Sequence, residues 1–135
     1  MITKKDLSDI FIWAKYTKFP LKRAPTSKGY CNKDIYISWL KGVGKRVSIR
    51  KRLMTQNIVD IYEKEEILYS TYSIFGPGTI LNPHRDPDVY AEHYKRIQLP
   101  LSIPHPHHCF MIWDDKKVVW KEGHAQVYPV MDVTH

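Results

Sequence analysis

From Glu66 onward the chain breaks into short β-branched and aromatic runs, each closed by Gly, Pro or a pair of aspartates. β-Branched and aromatic residues suit a pleated, half-buried surface, so these runs are expected as strands. They lie at Glu66–Ile74, Thr79–Leu81, Arg96–Ile103, Cys109–Trp113, Val118–Trp120 and Ala125–Tyr128. Pro77-Gly78 is a strong turn signal, and Asp114-Asp-Lys-Lys117 between two apolar runs suits a hairpin. Short strands at close spacing with Gly/Pro turns predict a β-sandwich or barrel.

The first half reads differently. Thr3-Lys-Lys-Asp6 resembles a capping box with Asp in place of Glu, and Leu7, Ile10, Phe11 and Ala14 follow at helical spacing. An amphipathic helix is expected over about residues 4–17. Pro20 and Pro25 bound a loop running to about Asn32. Ile35–Leu40 is either a short strand or a helical turn, broken by Gly42 and Gly44, and Arg46–Arg50 alternates as a strand does. Residues 56–66 are expected as a second helix. A chain of 135 residues suits one domain. Here it would be mainly β, with a helical, basic part over 1–68 and a β core over 69–135.

The net charge of +7 is unevenly placed. Residues 1–55 carry 14 Lys/Arg against 3 Asp/Glu, a balance of +11, and residues 56–135 carry 7 against 11, a balance of −4. The basic half either meets an acidic partner, nucleic acid or an acidic peptide, or is a solvated surface. Cys31 and Cys109 form no CxxC and no disulfide framework, so a reducing compartment is expected. No apolar run reaches membrane-span length and the N-terminus lacks an h-region, so no membrane partner and a cytoplasmic location are expected.

His84 and Asp86 stand two residues apart, so on a strand both side chains point to one side. With the distant His135 they would place two histidines and one carboxylate on one face of a metal. That facial triad leaves positions open for a cosubstrate and O₂ at non-haem Fe(II). Pro83 and Pro87 flank the pair and stiffen it. The bland alternative is a turn histidine and an Asx cap. His105, His107 and His108 form a second cluster, interrupted by Pro104 and Pro106, where a polar loop between strands is expected. His93 and His124 are left unassigned. Lys45-Arg46 and Arg50-Lys-Arg52 are expected to be solvated.

Residues 69–135 resemble the aspartyl/asparaginyl β-hydroxylase family of Fe(II)/2-oxoglutarate-dependent dioxygenases. Four landmarks carry the resemblance. The first is Tyr72-Ser73 followed by Pro77-Gly78-Thr79 and, eleven residues after the serine, His84. The second is Arg96-Ile-Gln-Leu-Pro-Leu-Ser-Ile-Pro104, similar to the family's Arg-x-His-Leu-x-Leu strand. The Trp120-Lys-Glu-Gly123 turn and His135 complete the set. The resemblance implies a double-stranded β-helix, the jelly-roll or cupin-like fold, with the metal at one mouth. It implies oxidative decarboxylation of 2-oxoglutarate to succinate and CO₂, coupled to hydroxylation of a C–H bond.

The same resemblance gives His84, Asp86 and His135 to the metal. It puts Arg96 near the cosubstrate and Ser73 on a 2-oxoglutarate carboxylate. Gln98 stands where the family strand has His; an amide can donate a hydrogen bond but cannot act as an acid. Many animal members carry Gly at the position of Asp86, so Asp86 either binds iron or caps the turn with a water in its place. Iron needs neutral imidazoles and an ionised carboxylate, and three protein ligands leave three sites for a bidentate 2-oxo acid and O₂.

In the family a strand after the distal histidine brings an arginine to the far carboxylate of 2-oxoglutarate, whereas this sequence stops at His135. Three readings stay open: a truncated form of a longer chain, transfer of that role to Arg96 or Lys95, or a degenerate inactive member. Met131–His135 reads as mid-strand, which favours the first. The expected function is hydroxylation of an amino-acid side chain, in a peptide or free. The alternatives are a basic non-enzymatic jelly-roll module for nucleic acid or an acidic protein, and a nucleic-acid oxygenase of the His-x-Asp…His type.

Overall fold

Helix α1, Lys4–Tyr16, starts at the expected capping box. The Asp6 backbone N–H donates to Thr3 Oγ1 at 3.0 Å, and the Thr3 N–H donates to Asp6 Oδ2 at 3.3 Å. Two of the amide donors that a helix N-terminus leaves open are thereby satisfied. Ala14 is buried, and Leu7, Ile10 and Phe11 are half-buried on the expected face. The computed structural model describes residues 2–24, 31–42, 49–83 and 95–128, which belong to two compact units, Met1–Asn82 and Pro83–His135.

In the first unit a short strand β1, Lys22–Ala24, lies inside the stretch expected as a loop after Pro20. It pairs antiparallel with β2, Ile35–Lys41, so the ambiguous Ile35–Leu40 run is a strand. Of the strand expected over Arg46–Arg50, residues 46–48 lie outside the described residues; Ile49 forms a single bridge to Lys41. A 3₁₀ turn at Lys51–Leu53 precedes helix α2, Gln56–Lys64. Thr55 caps α2 by accepting from the Ile58 N–H at 3.3 Å. Ile58, Val59, Ile61 and Tyr62 are buried at spacings of three and four, the stripe of a helix laid on a core. Strand β3, Ser70–Ile74, then pairs with β2 to give the antiparallel order β1-β2-β3. A register shift between Trp39 and Lys41 leaves Leu40 as an extra, buried residue on β2.

The two helices are tied by polar contacts as well as packing. Lys64 Nζ donates to Asp6 Oδ2 at 2.8 Å, Asn57 Nδ2 to Asp9 Oδ2 at 3.1 Å, and Trp13 Nε1 to the Leu53 carbonyl at 3.0 Å. The Lys64 hydrogen bond holds the Asp6 carboxyl below its ordinary 3.8; burial opposes this and the bonds from Thr3 add to it. A carboxyl whose folded-state pKa is lowered stabilises the fold above its unfolded pKa. That contribution is lost as pH falls through the lowered value. Melting temperature should therefore fall less steeply between about pH 5 and about pH 2 in Asp6→Asn than in the parent. Equal slopes would contradict the assignment.

The Pro77-Gly78 turn forms as expected. The Thr79 N–H donates to the Gly76 carbonyl at 3.2 Å, and Gly78 has φ 77°. Pro followed by a residue at positive φ is the signature of a type II turn. A Cβ on Gly78 would meet Lys33 Nζ at 3.3 Å, so both backbone and space favour glycine there. Asn32 clamps the turn: its Nδ2 donates to the Gly78 carbonyl at 2.8 Å and its Oδ1 accepts from the Ile80 N–H at 2.7 Å. The strand expected at Thr79–Leu81 is reduced to one bridge, Cys31 to Leu81, because Asn32 takes the hydrogen bonds a longer ladder would use.

The second unit holds β4, Arg96–Gln98, then a 3₁₀ turn at Pro106–His108, β5, Phe110–Trp113, β6, Lys116–Val119, and β7, Gln126–Tyr128. The expected strand to Ile103 stops at Gln98. Pro100 has no N–H to continue a ladder, and its carbonyl accepts from the Gly123 N–H at 2.8 Å instead. β4 pairs antiparallel with β7, and β5 with β6. The β5–β6 hairpin turns at Asp114 and Asp115, both at positive φ (48° and 62°). Two central residues at positive φ define the type I′ turn that matches strand twist. Asp115→Gly should stabilise the hairpin by about 1 kcal/mol, since only glycine adopts this region without a Cβ penalty. A melting temperature at or below the parent's would contradict that. The fold is mainly β, with two helices toward the N-terminus and antiparallel sheets; no closed barrel is formed by the described residues.

Candidate functional site

Ser73 sits on β3 opposite Ile37 of β2. Its neighbour Tyr72 stacks on Phe19 with ring centroids 4.6 Å apart, and Phe19 meets Trp13 edge-on at 5.2 Å. Side chains alternate along a strand, so Ser73 and Thr71 occupy the face away from that aromatic layer. Their hydroxyl oxygens are 3.4 Å apart. The other face is anchored by Tyr62, whose hydroxyl lies 2.7 Å from Ser70 Oγ. Burial pushes the Tyr62 phenol above its ordinary 10, with the Ser70 hydrogen bond opposing. The expected metal ligands His84, Asp86 and His135 lie outside the described residues, as does His93.

In the second unit, Arg96 and Gln98 stand two apart on β4 and share one face. The β7 register puts Tyr128 opposite Arg96 and Gln126 opposite Gln98. Tyr128 is 3% exposed and packs on Met111, Trp113 and Val118 of the hairpin, its ring 4.4 Å from that of Trp113. Tyr128 therefore sets its end of the Arg96–Gln98–Gln126–Tyr128 face against Met111, Trp113 and Val118 of the β5–β6 hairpin. Trp120 extends that hairpin beyond β6, its backbone N–H donating to the Cys109 carbonyl at 3.3 Å.

Three polar atoms in this layer are out of place for an ordinary core. Gln98 Oε1, Trp120 Nε1 and the Tyr128 hydroxyl are buried and make no hydrogen bond among the described residues. Each orphaned group costs of order 1–3 kcal/mol. Burial pushes the Tyr128 phenol above its ordinary 10, while the nearby Trp120 indole and the Arg96 charge act in the opposite direction. Trp120 Nε1 thus lies close enough to act on the hydroxyl. The face combines a cation, two unused donors and a buried amide, the chemistry of a carboxylate site.

Reasoning from sequence singled out Ser73, Arg96 and Gln98 but missed Tyr128, and it used Trp120 only as a turn landmark. The missed signal was the shared alternation of Arg96-Ile-Gln98 and Gln126-Val-Tyr128, which pairs in register. The His105, His107 and His108 cluster is an exposed turn, with the His108 N–H donating to the His105 carbonyl at 3.0 Å. Among the described residues, no group of three or more His, Cys, Asp or Glu could hold a metal ion. Cys31 and Cys109 are both free thiols. Among the described residues no helix is long and apolar enough to cross a membrane.

The family model for aspartyl/asparaginyl β-hydroxylases matches residues 36–132, and the chain belongs to that family. The match begins at Tyr36, so all of β2 but Ile35, together with α2 and β3, falls within it although sequence motifs pointed only to residues from Tyr69 onward. It includes His84, Asp86, Arg96 and Gln98 and ends before His135. No curated protein and no solved structure matches the chain. Membership of the family makes a hydroxylase the expected class of activity.

Proposed function

We propose that the chain is an Fe(II)- and 2-oxoglutarate-dependent hydroxylase that acts on an amino-acid side chain, in a peptide or free. The observation that carries this reading is the β4 face of a family member, where Arg96 and Gln98 stand beside buried polar groups that make no hydrogen bond among the described residues. A cation beside unused donors suits a carboxylate of 2-oxoglutarate. On this reading Ser73, Arg96 and Gln98 hold and orient the 2-oxo acid, and His84, Asp86 and His135 hold the iron. The bound metal and 2-oxo acid supply oxidative decarboxylation coupled to hydroxylation. The chain's contribution is binding, orientation and a site closed to bulk water. The +11 balance of residues 1–55 favours an acidic substrate by steering, and a reducing, cytoplasmic setting suits ferrous iron.

The test is mass spectrometry of Asp- and Asn-containing acidic peptides incubated with the protein, Fe(II), 2-oxoglutarate and air. A gain of one oxygen atom, dependent on both iron and 2-oxoglutarate, is the expected result. Peptides unchanged while free amino acids are hydroxylated would narrow the substrate class. No oxygen gain in either would contradict the proposal.

A further inference from the structure

We infer that Tyr128 and Trp120 are ligand-binding residues: the phenol O–H and the indole N–H donate to one carboxylate whose charge Arg96 balances. Their identification as cosubstrate residues rests on the proposed function, but the carboxylate site itself does not. The hydrophobic residues packed against the Tyr128 ring are Met111, Trp113 and Val118. Phenylalanine would fill that space without stranding a hydroxyl. A hydroxyl on a residue 3% exposed, with no protein partner among the described residues, is therefore a group held ready for something else. Trp120 offers a second such donor. Two donors beside a guanidinium select an anion with paired acceptors, and a carboxylate fits them.

The register adds a specific role. Tyr128 stands directly across the ladder from Arg96, and Gln98 lies next along the same face. Gln98 can turn its amide to present Nε2 or accept from a ligand hydroxyl, but it cannot supply a proton. Tyr128 gives this face a neutral O–H donor that burial keeps protonated. Both aromatic residues contact the anion directly.

The experiment is calorimetric titration of the full chain, without added metal, with 2-oxoglutarate and separately with N-acetylaspartate, a carboxylate of the substrate type. Tyr128→Phe and Trp120→Phe are compared with the parent. Each variant should weaken 2-oxoglutarate binding about tenfold, the effect of one hydrogen bond to a charged group. Without ligand, Tyr128→Phe should melt at or above the parent temperature, because an orphaned hydroxyl is gone. A purely structural tyrosine would show the reverse: unchanged binding and a lower melting temperature. If the parent binds N-acetylaspartate but not 2-oxoglutarate, and Tyr128→Phe loses that binding, the carboxylate site stands and the cosubstrate reading falls. Parent-like affinity in both variants, or no binding of either probe to the parent, would overturn the inference.

Discussion

His84→Ala should reduce Fe(II)-dependent succinate formation to background, and Asp86→Ala should do the same. On the proposed reading both side chains bind iron directly. Loss of a partner one shell further out already costs about 10–100-fold in metal affinity or activity, so loss of a ligand itself should exceed that. Arg96→Ala provides the contrast. An arginine that holds a carboxylate acts on binding, so its loss should raise the 2-oxoglutarate concentration needed for half-maximal rate, with less effect on the rate at saturation. Full activity in both His84→Ala and Asp86→Ala would refute the metal assignment. Activity lost in His84→Ala but kept in Asp86→Ala would mean that two histidines hold the iron and that Asp86 caps its turn.

The largest effect on stability should come from Ile58→Ala. Ile58 is 1% exposed, the most completely buried large side chain among the described residues, and shares α2 with buried Val59, Ile61 and Tyr62. Truncating a buried isoleucine to alanine costs about 2–5 kcal/mol, combining lost transfer energy with the cavity left behind. α2 leans on β3 through the Tyr62–Ser70 contact and on α1 through Lys64 and Asn57. The loss should therefore spread through the first unit. Urea unfolding followed by Trp13 fluorescence should show the midpoint falling with little change in slope. An effect below about 1 kcal/mol would mean that the site collapses around the smaller side chain.

The local signals were readable where chemistry acts over a few residues. Thr3 and Asp6 announce a capping box and the structure has one; Pro77-Gly78 and Asp114-Asp115 announce turns and both form. Tertiary competition was not readable. Thr79–Leu81 has strand-forming residues, yet Asn32, forty-eight positions earlier, takes its hydrogen bonds. Arg96–Ile103 looks like one strand, but Pro100 turns its carbonyl to Gly123. Trp13 was absent from the expected helix face, because its bond to Leu53 spans forty positions. At the proposed site, the family resemblance marked Ser73, Arg96 and Gln98. Tyr128 became visible only through the β4–β7 register, since no local pattern says which strands will pair.

The central claim is tested most directly by succinate formation from 2-oxoglutarate, with and without Fe(II) and with no other substrate. The account predicts slow iron-dependent turnover by the parent chain that disappears in His84→Ala. Succinate at the same rate without iron, or none under any condition, would contradict it.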